Sequence, residues 1–144
     1  MKLGIVGSEA AKFTPDTEEH CRWLIESWLN RREADGVVSG GCHLGGVDQW
    51  AAEIGRKMGL QVVEYLPRTR DWSGYKSRNM QIAENSDEVI CFTVKNLPPG
   101  FREGGWERYC YHCKTGEHIK SGGCWTTKYA RKLGKPGVTI VVDA

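Results

Sequence analysis

Hydrophobic and polar positions follow two periods along the chain. Leu3 to Gly7 is a short apolar run closed by glycine, the pattern of a buried strand. Cys21, Leu24, Ile25, Trp28 and Leu29 then fall on one helical stripe, which Thr14-Pro15-Asp16 opens and Asp35-Gly36 ends. Val37-Val38 begins a second strand. Val47, Trp50, Ala51, Ile54 and Met58 repeat the helical spacing as far as Gly59, and Gln61 to Leu66 reads as a third strand stopped by Pro67. A polar loop, Arg68 to Gly74, leads to a helix from about Tyr75 to Asn85 and then to a strand from Val89 to Val94. Thr126, Tyr129, Ala130 and Leu133 mark a fourth helix, and Val138 to Val142 a fifth strand.

Strands separated by helices require crossover connections, hence a mostly parallel sheet covered on both faces. Right-handed crossovers with one reversal of winding give the order 3-2-1-4-5. The pattern predicts a single α/β domain over residues 1–144, a Rossmann-like three-layer sandwich on a five-stranded sheet. One segment breaks the rhythm. The roughly 27 residues from Lys95 to Ser121 carry no period and exceed an ordinary loop, so an insertion at about 95–120 precedes the last helix.

Composition narrows the class. With 40% hydrophobic and 26% charged residues in 144, the chain is neither disordered nor fibrous. A net charge of +2 is too mild to indicate nucleic acid or an acidic membrane surface. No apolar stretch approaches the ~20 residues of a membrane span. The opening Met1-Lys2-Leu3-Gly4-Ile5-Val6-Gly7-Ser8-Glu9 meets a charge too early for a secretory signal, so a cytoplasmic protein is expected.

In an open α/β sheet, ligands bind beyond the carboxyl ends of the strands where the winding reverses. That crevice lies between the first and fourth strands. Gly7 and Ser8 reach it from one loop, and Ser39, Gly40 and Gly41 from the next. Ser121-Gly122-Gly123-Cys124 repeats the string Ser39-Gly40-Gly41-Cys42, again before a helix. Glycine admits close backbone approach and a helix N-terminus carries partial positive charge, a combination suited to phosphate. Glycine-rich turns also serve close packing alone. Neither a Walker loop nor GxGxxG is present.

Gly4-Ile5-Val6-Gly7-Ser8, Val37-Val38-Ser39-Gly40-Gly41, Gly46-Val47-Asp48, Arg78-Asn79, Ser86-Asp87-Glu88-Val89-Ile90 and Gly134-Lys135-Pro136 stand in an order that resembles the DprA/LOG-like (SLOG) Rossmann superfamily. The likeness covers nearly the whole chain apart from Lys95 to Lys120. It implies a nucleotide, a nucleotide-derived signal or single-stranded DNA at the crevice. By position it implies that Gly7, Ser8, Ser39, Gly40 and Gly41 line the ligand, that Arg78 and Asn79 meet phosphate or ribose, and that Gly122, Gly123 and Thr126 hold a phosphate. The superfamily's phosphoribohydrolase branch cleaves the N-glycosidic bond of nucleoside monophosphates with a glutamate where this chain has Tyr129. That departure favours binding over catalysis; Glu9, Asp48, Glu84 and Glu107 are the carboxylates open to a substitute role.

Cys110, Cys113, His118 and Cys124 form the most specific pattern. Their Cys-x₂-Cys-x₄-His-x₅-Cys spacing is similar to a zinc knuckle with one extra residue. Structural zinc pinning the insertion is the leading reading; a redox-active cysteine pair and plain thiols are the rivals, and Cys42 or His43 are possible replacement ligands. Cys21 and Cys91 fall in apolar patterns and are expected to pack as small hydrophobes. Trp72, Tyr75, Trp106, Tyr109 and Trp125 can stack a base or pack the insertion. Trp23, Trp28 and Trp50 belong to helical stripes, and the first helix offers a surface for a homodimer. Three functions stay open: nucleotide binding, N-glycosidic hydrolysis, and single-stranded nucleic-acid binding through the knuckle with Lys114, Lys120, Arg102 and Arg108.

Overall fold

The computed structural model describes residues 1–101 and 106–143, Trp106 by its backbone alone. Five strands, β1 (Lys2–Gly7), β2 (Gly36–Ser39), β3 (Gln61–Glu64), β4 (Glu88–Val94) and β5 (Gly137–Val142), form one sheet in the order β3-β2-β1-β4-β5. Every pairing is parallel, and the register sets Leu3 opposite Val37 on one side and Glu88 on the other. The predicted order holds. Four helices connect the strands: α1 (Pro15–Arg31), α2 (Val47–Lys57), α3 (Trp72–Glu84) and α4 (Gly123–Lys132).

Side-chain caps start α1 and α3, whereas α2 and α4 begin at glycine. Thr14 accepts from the Thr17 amide and Thr17 Oγ1 accepts from the Thr14 amide, a reciprocal cap that starts α1. The α1 residues Cys21, Ile25 and Leu29 are buried together with Val47, Trp50 and Ile54 of α2, on the side of the sheet that carries Leu3, Ile5, Ile90 and Phe92. Ile82 and Ala83 of α3 and Ala130 of α4 pack with Val6, Val38, Val89 and Cys91 in a second cluster. Cys21 and Cys91 are thus buried core residues.

Two boundaries differ from the sequence pattern. α3 starts at Trp72 rather than near Tyr75, because Asp71 Oδ1 accepts from both the Gly74 amide (2.9 Å) and the Thr69 hydroxyl (2.7 Å). β3 ends at Glu64, leaving Leu66 64% exposed. The insertion is anchored at its far end: the Ile119 amide donates to Val94 O (2.9 Å), Thr93 Oγ1 donates to Ile119 O (2.9 Å), and the Ile119 side chain is buried in the α1–α2 core. No helix among the described residues is long and apolar enough to cross a membrane.

Candidate ligand crevice and metal centre

Two helix starts converge on the end of β1. At Gly46 the backbone takes φ +92°, and a side chain there would strike Ser8 O, Ala10 N and Glu9 C; glycine lets α2 begin directly against the loop after β1. On the other side, a Cβ on Gly123 would come within 3.2 Å of Gly7 N and 2.7 Å of Cys91 Sγ. Gly7 is itself packed against Phe92 O and Val47. Residues 39–41 reach the same point through Asp48: a Cβ on Gly40 would lie 2.8 Å from Asp48 Oδ2 and 2.5 Å from Arg78 Nη1, and the Gly7 amide faces the Asp48 carboxylate. Gly123 therefore meets Gly7 directly, and residues 39–41 approach it through the Asp48 carboxyl.

The polar groups around this point are mostly engaged with one another. Ser8 Oγ lies 2.9 Å from Thr93 Oγ1, and Ser39 Oγ donates to Asp48 O (2.9 Å). Arg78 donates through Nη1 to Gly40 O (2.7 Å) and through Nε to Asn79 Oδ1 (2.8 Å). Asp48 is buried, yet its Oδ1 has no hydrogen-bond partner. Burial pushes its carboxyl up to about 6, against the opposing pull of Arg78 and of the Gly7 and Cys42 amides. Thr126 Oγ1, in the first turns of α4, is the other buried polar atom without a partner among the described residues.

At the start of α4, Ser121 Oγ accepts from the Gly123 amide (3.2 Å) and Ser121 O from the Cys124 amide (3.1 Å). Gly122 is exposed, with φ −62° and ψ −23°, and a Cβ there would meet nothing within 4 Å. Two cavities, of about 410 Å³ (Phe13, Thr14, Pro15, Glu18, Glu19, Arg22) and about 230 Å³ (Gly41, Gln49, Glu53, Arg56, Glu64, Leu66), lie away from Gly122. Of the four carboxylates weighed from the sequence, Asp48 stands beside Gly40 and Arg78, whereas Glu84 is the last residue of α3 and approaches the Tyr129 hydroxyl (3.5 Å).

Cys110, Cys113, His118 and Cys124 are brought together next to this crevice, with all four ligand atoms within 4.8 Å of one another. The Cys110 amide donates to Thr115 O (2.9 Å) and the Thr115 amide returns a bond to Cys110 O (3.2 Å), closing a turn in which Lys114 takes φ +56°. His118 Nδ1 lies 2.9 Å from Ile119 O; a carbonyl only accepts, so Nδ1 carries the hydrogen and Nε2 keeps its lone pair. Burial, with Cys124 and Cys110 alongside, pushes the Cys113 thiol up to about 12. Such a thiol stays protonated until a cation replaces the proton. Cys42 and His43 are not part of the cluster. Arg102 lies outside the described residues.

A five-stranded parallel sheet in this order, covered by helices on both faces, is a Rossmann-like fold. Solved structures that share it include three of different description. The molybdenum cofactor carrier protein from Chlamydomonas reinhardtii matches at TM-score 0.58 and 15% identity over 97% of this chain and 74% of its own. The structural-genomics target TM1055 matches at TM-score 0.58 and 20% identity, over 95% of this chain and 71% of its own. DNA processing protein A (DprA) from Streptococcus pneumoniae matches at TM-score 0.61 and 16% identity, over 99% of this chain and 50% of its own. The sequence matches no protein-family profile and no curated protein.

Proposed function

We propose that the crevice binds a nucleotide or nucleotide-derived small molecule, and that zinc held by Cys110, Cys113, His118 and Cys124 fixes the insertion beside it. The observation that carries the first part is the exposed Gly122, one residue before the Gly123 that packs against Gly7. The negative end of the ligand enters there. It replaces the Ser121 hydroxyl as partner of the Gly123 amide and sits at the positive end of α4. Gly7, Ser8, Ser39, Gly40 and Gly41 form the floor, Arg78 and Asn79 the wall, and Thr126 lies behind Gly122 and Gly123.

Asp48 decides the polarity of the ligand. A carboxylate already fills the space between the Gly7 and Cys42 amides, so a phosphate is disfavoured at residues 39–41. The cofactor-carrier function of one fold neighbour supports a small-molecule ligand. For the metal, three thiolates and a neutral imidazole are the donor set zinc prefers. Sulfurs around tetrahedral zinc stand about 3.8 Å apart, within the spread of the cluster. Four protein ligands leave no open position, which makes the role structural.

Isothermal titration of the zinc-replete protein with nucleoside mono- and diphosphates tests the crevice. Saturable binding at one site per chain is expected; absence of heat across the panel overturns the reading.

A further inference from the structure

The crevice wall carries a line of aromatic rings that the polar site leaves unused. Arg78, whose Nη1 holds Gly40 O, lies over the Tyr75 ring with Cζ 5.7 Å from its centroid. One turn earlier, Trp72 meets Trp125 of α4 edge to face, at 5.6 Å and 87°. Trp125 in turn stacks on Tyr129 at 5.3 Å and 7°. Arg78 thus links Tyr75 to Gly40, and the Trp72–Trp125–Tyr129 group reaches α4, where Trp125 lies three residues past Gly122.

Its placement is uneconomical for packing alone. Trp72 is 51% exposed, although its ring is fixed in orientation by Trp125 behind it. A half-exposed tryptophan in edge-to-face contact with a second ring offers an aromatic surface for a further flat π system. Stacking requires no hydrogen-bond match and strengthens with the area of the ring.

We infer that Trp72, braced by Trp125, is the stacking surface for the heteroaromatic base of the crevice ligand. This rests on the crevice reading above and adds to it: the ligand carries a flat ring as well as a negative end.

The test compares nucleoside monophosphates with ribose 5-phosphate by titration on the zinc-loaded full chain. The base-bearing ligands bind about tenfold tighter or more. Trp72→Ala removes that preference while the affinity for ribose 5-phosphate holds, and Trp72→Phe keeps most of it. Equal affinity for the two ligand types on the unmodified chain overturns the stacking surface and leaves the crevice reading intact. A preference undiminished in folded Trp72→Ala also overturns it. Failure of every probe to bind overturns the crevice itself and the stacking surface with it.

Discussion

The tetrapeptide Ser-Gly-Gly-Cys occurs twice, and its two copies do opposite things. In residues 39–42 the serine ends a strand and donates to Asp48 O, the first glycine is hemmed in by Arg78 and Asp48, and the second takes φ +57°. In residues 121–124 the serine accepts from the Gly123 amide, the first glycine is open, and the second is pressed against Cys91 and Gly7. Cys42 is half-buried and apart from the metal cluster, whereas Cys124 is buried within it. Local sequence is the same in both; what differs is what the sheet brings against it. In the first copy an internal carboxylate and an arginine hem in the first glycine, and in the second the first glycine is exposed.

The largest contrast is expected at the cysteines. Cys124→Ser loses bound zinc and costs on the order of 3 kcal/mol, lowering Tm by roughly 10 °C, while Cys42→Ser changes neither. Metal content by native mass spectrometry and a thermal melt read the pair. An equal response of both variants would break the distinction.

An effect of similar size, in pH, belongs to the first copy alone. The Asp48 carboxyl sits at about 6 in the folded chain against 3.8 ordinarily, so the fold holds its proton more tightly than the unfolded chain does. Its contribution is fully present below pH ~4 and is lost as pH rises through ~6, by about 3 kcal/mol in all. Asp48→Asn flattens this component of the stability profile between pH 4 and 7, as denaturant melts at several pH values reveal. An unchanged slope would show that the carboxyl is not held at raised pKa.

The glycines give the smallest and most local test. Gly40→Ala and Gly123→Ala each force a Cβ into occupied space and destabilise by about 1–3 kcal/mol. Gly122→Ala enters open space at an ordinary helical φ and changes stability by roughly half a kcal/mol or less, in the stabilising direction. Urea denaturation of the three variants ranks them, and a Gly122→Ala loss as large as the others contradicts the open entry.

Much of this architecture is legible in the chain. The stripe Cys21, Ile25, Leu29 and the apolar runs Leu3 to Gly7 and Val89 to Val94 determine the elements, because each must bury one face or both. The cysteine and histidine spacing announces its cluster, since ligand-type residues so close in sequence fold to within reach of one another. Asp48 is harder to read. As a sequence letter it is one acid among many, and only the approach of Gly40, Arg78 and the Gly7 amide makes it part of the site. The start of α3 was hidden for a similar reason: Asp71 caps through a side-chain bond to Gly74 that outweighs a polar, aperiodic first turn. The inequality of the two Ser-Gly-Gly copies cannot be seen locally at all, because it depends on residues 38 positions away in one copy and more than a hundred in the other.

Titration of Gly122→Asp against the unmodified chain, with the tightest nucleotide of the panel, addresses the crevice most directly. The substitution introduces a negative charge into open space without a steric conflict, so the fold and the zinc site persist. The account predicts a loss of affinity of at least tenfold with an unchanged melt. Unaltered binding by a folded Gly122→Asp protein would contradict it.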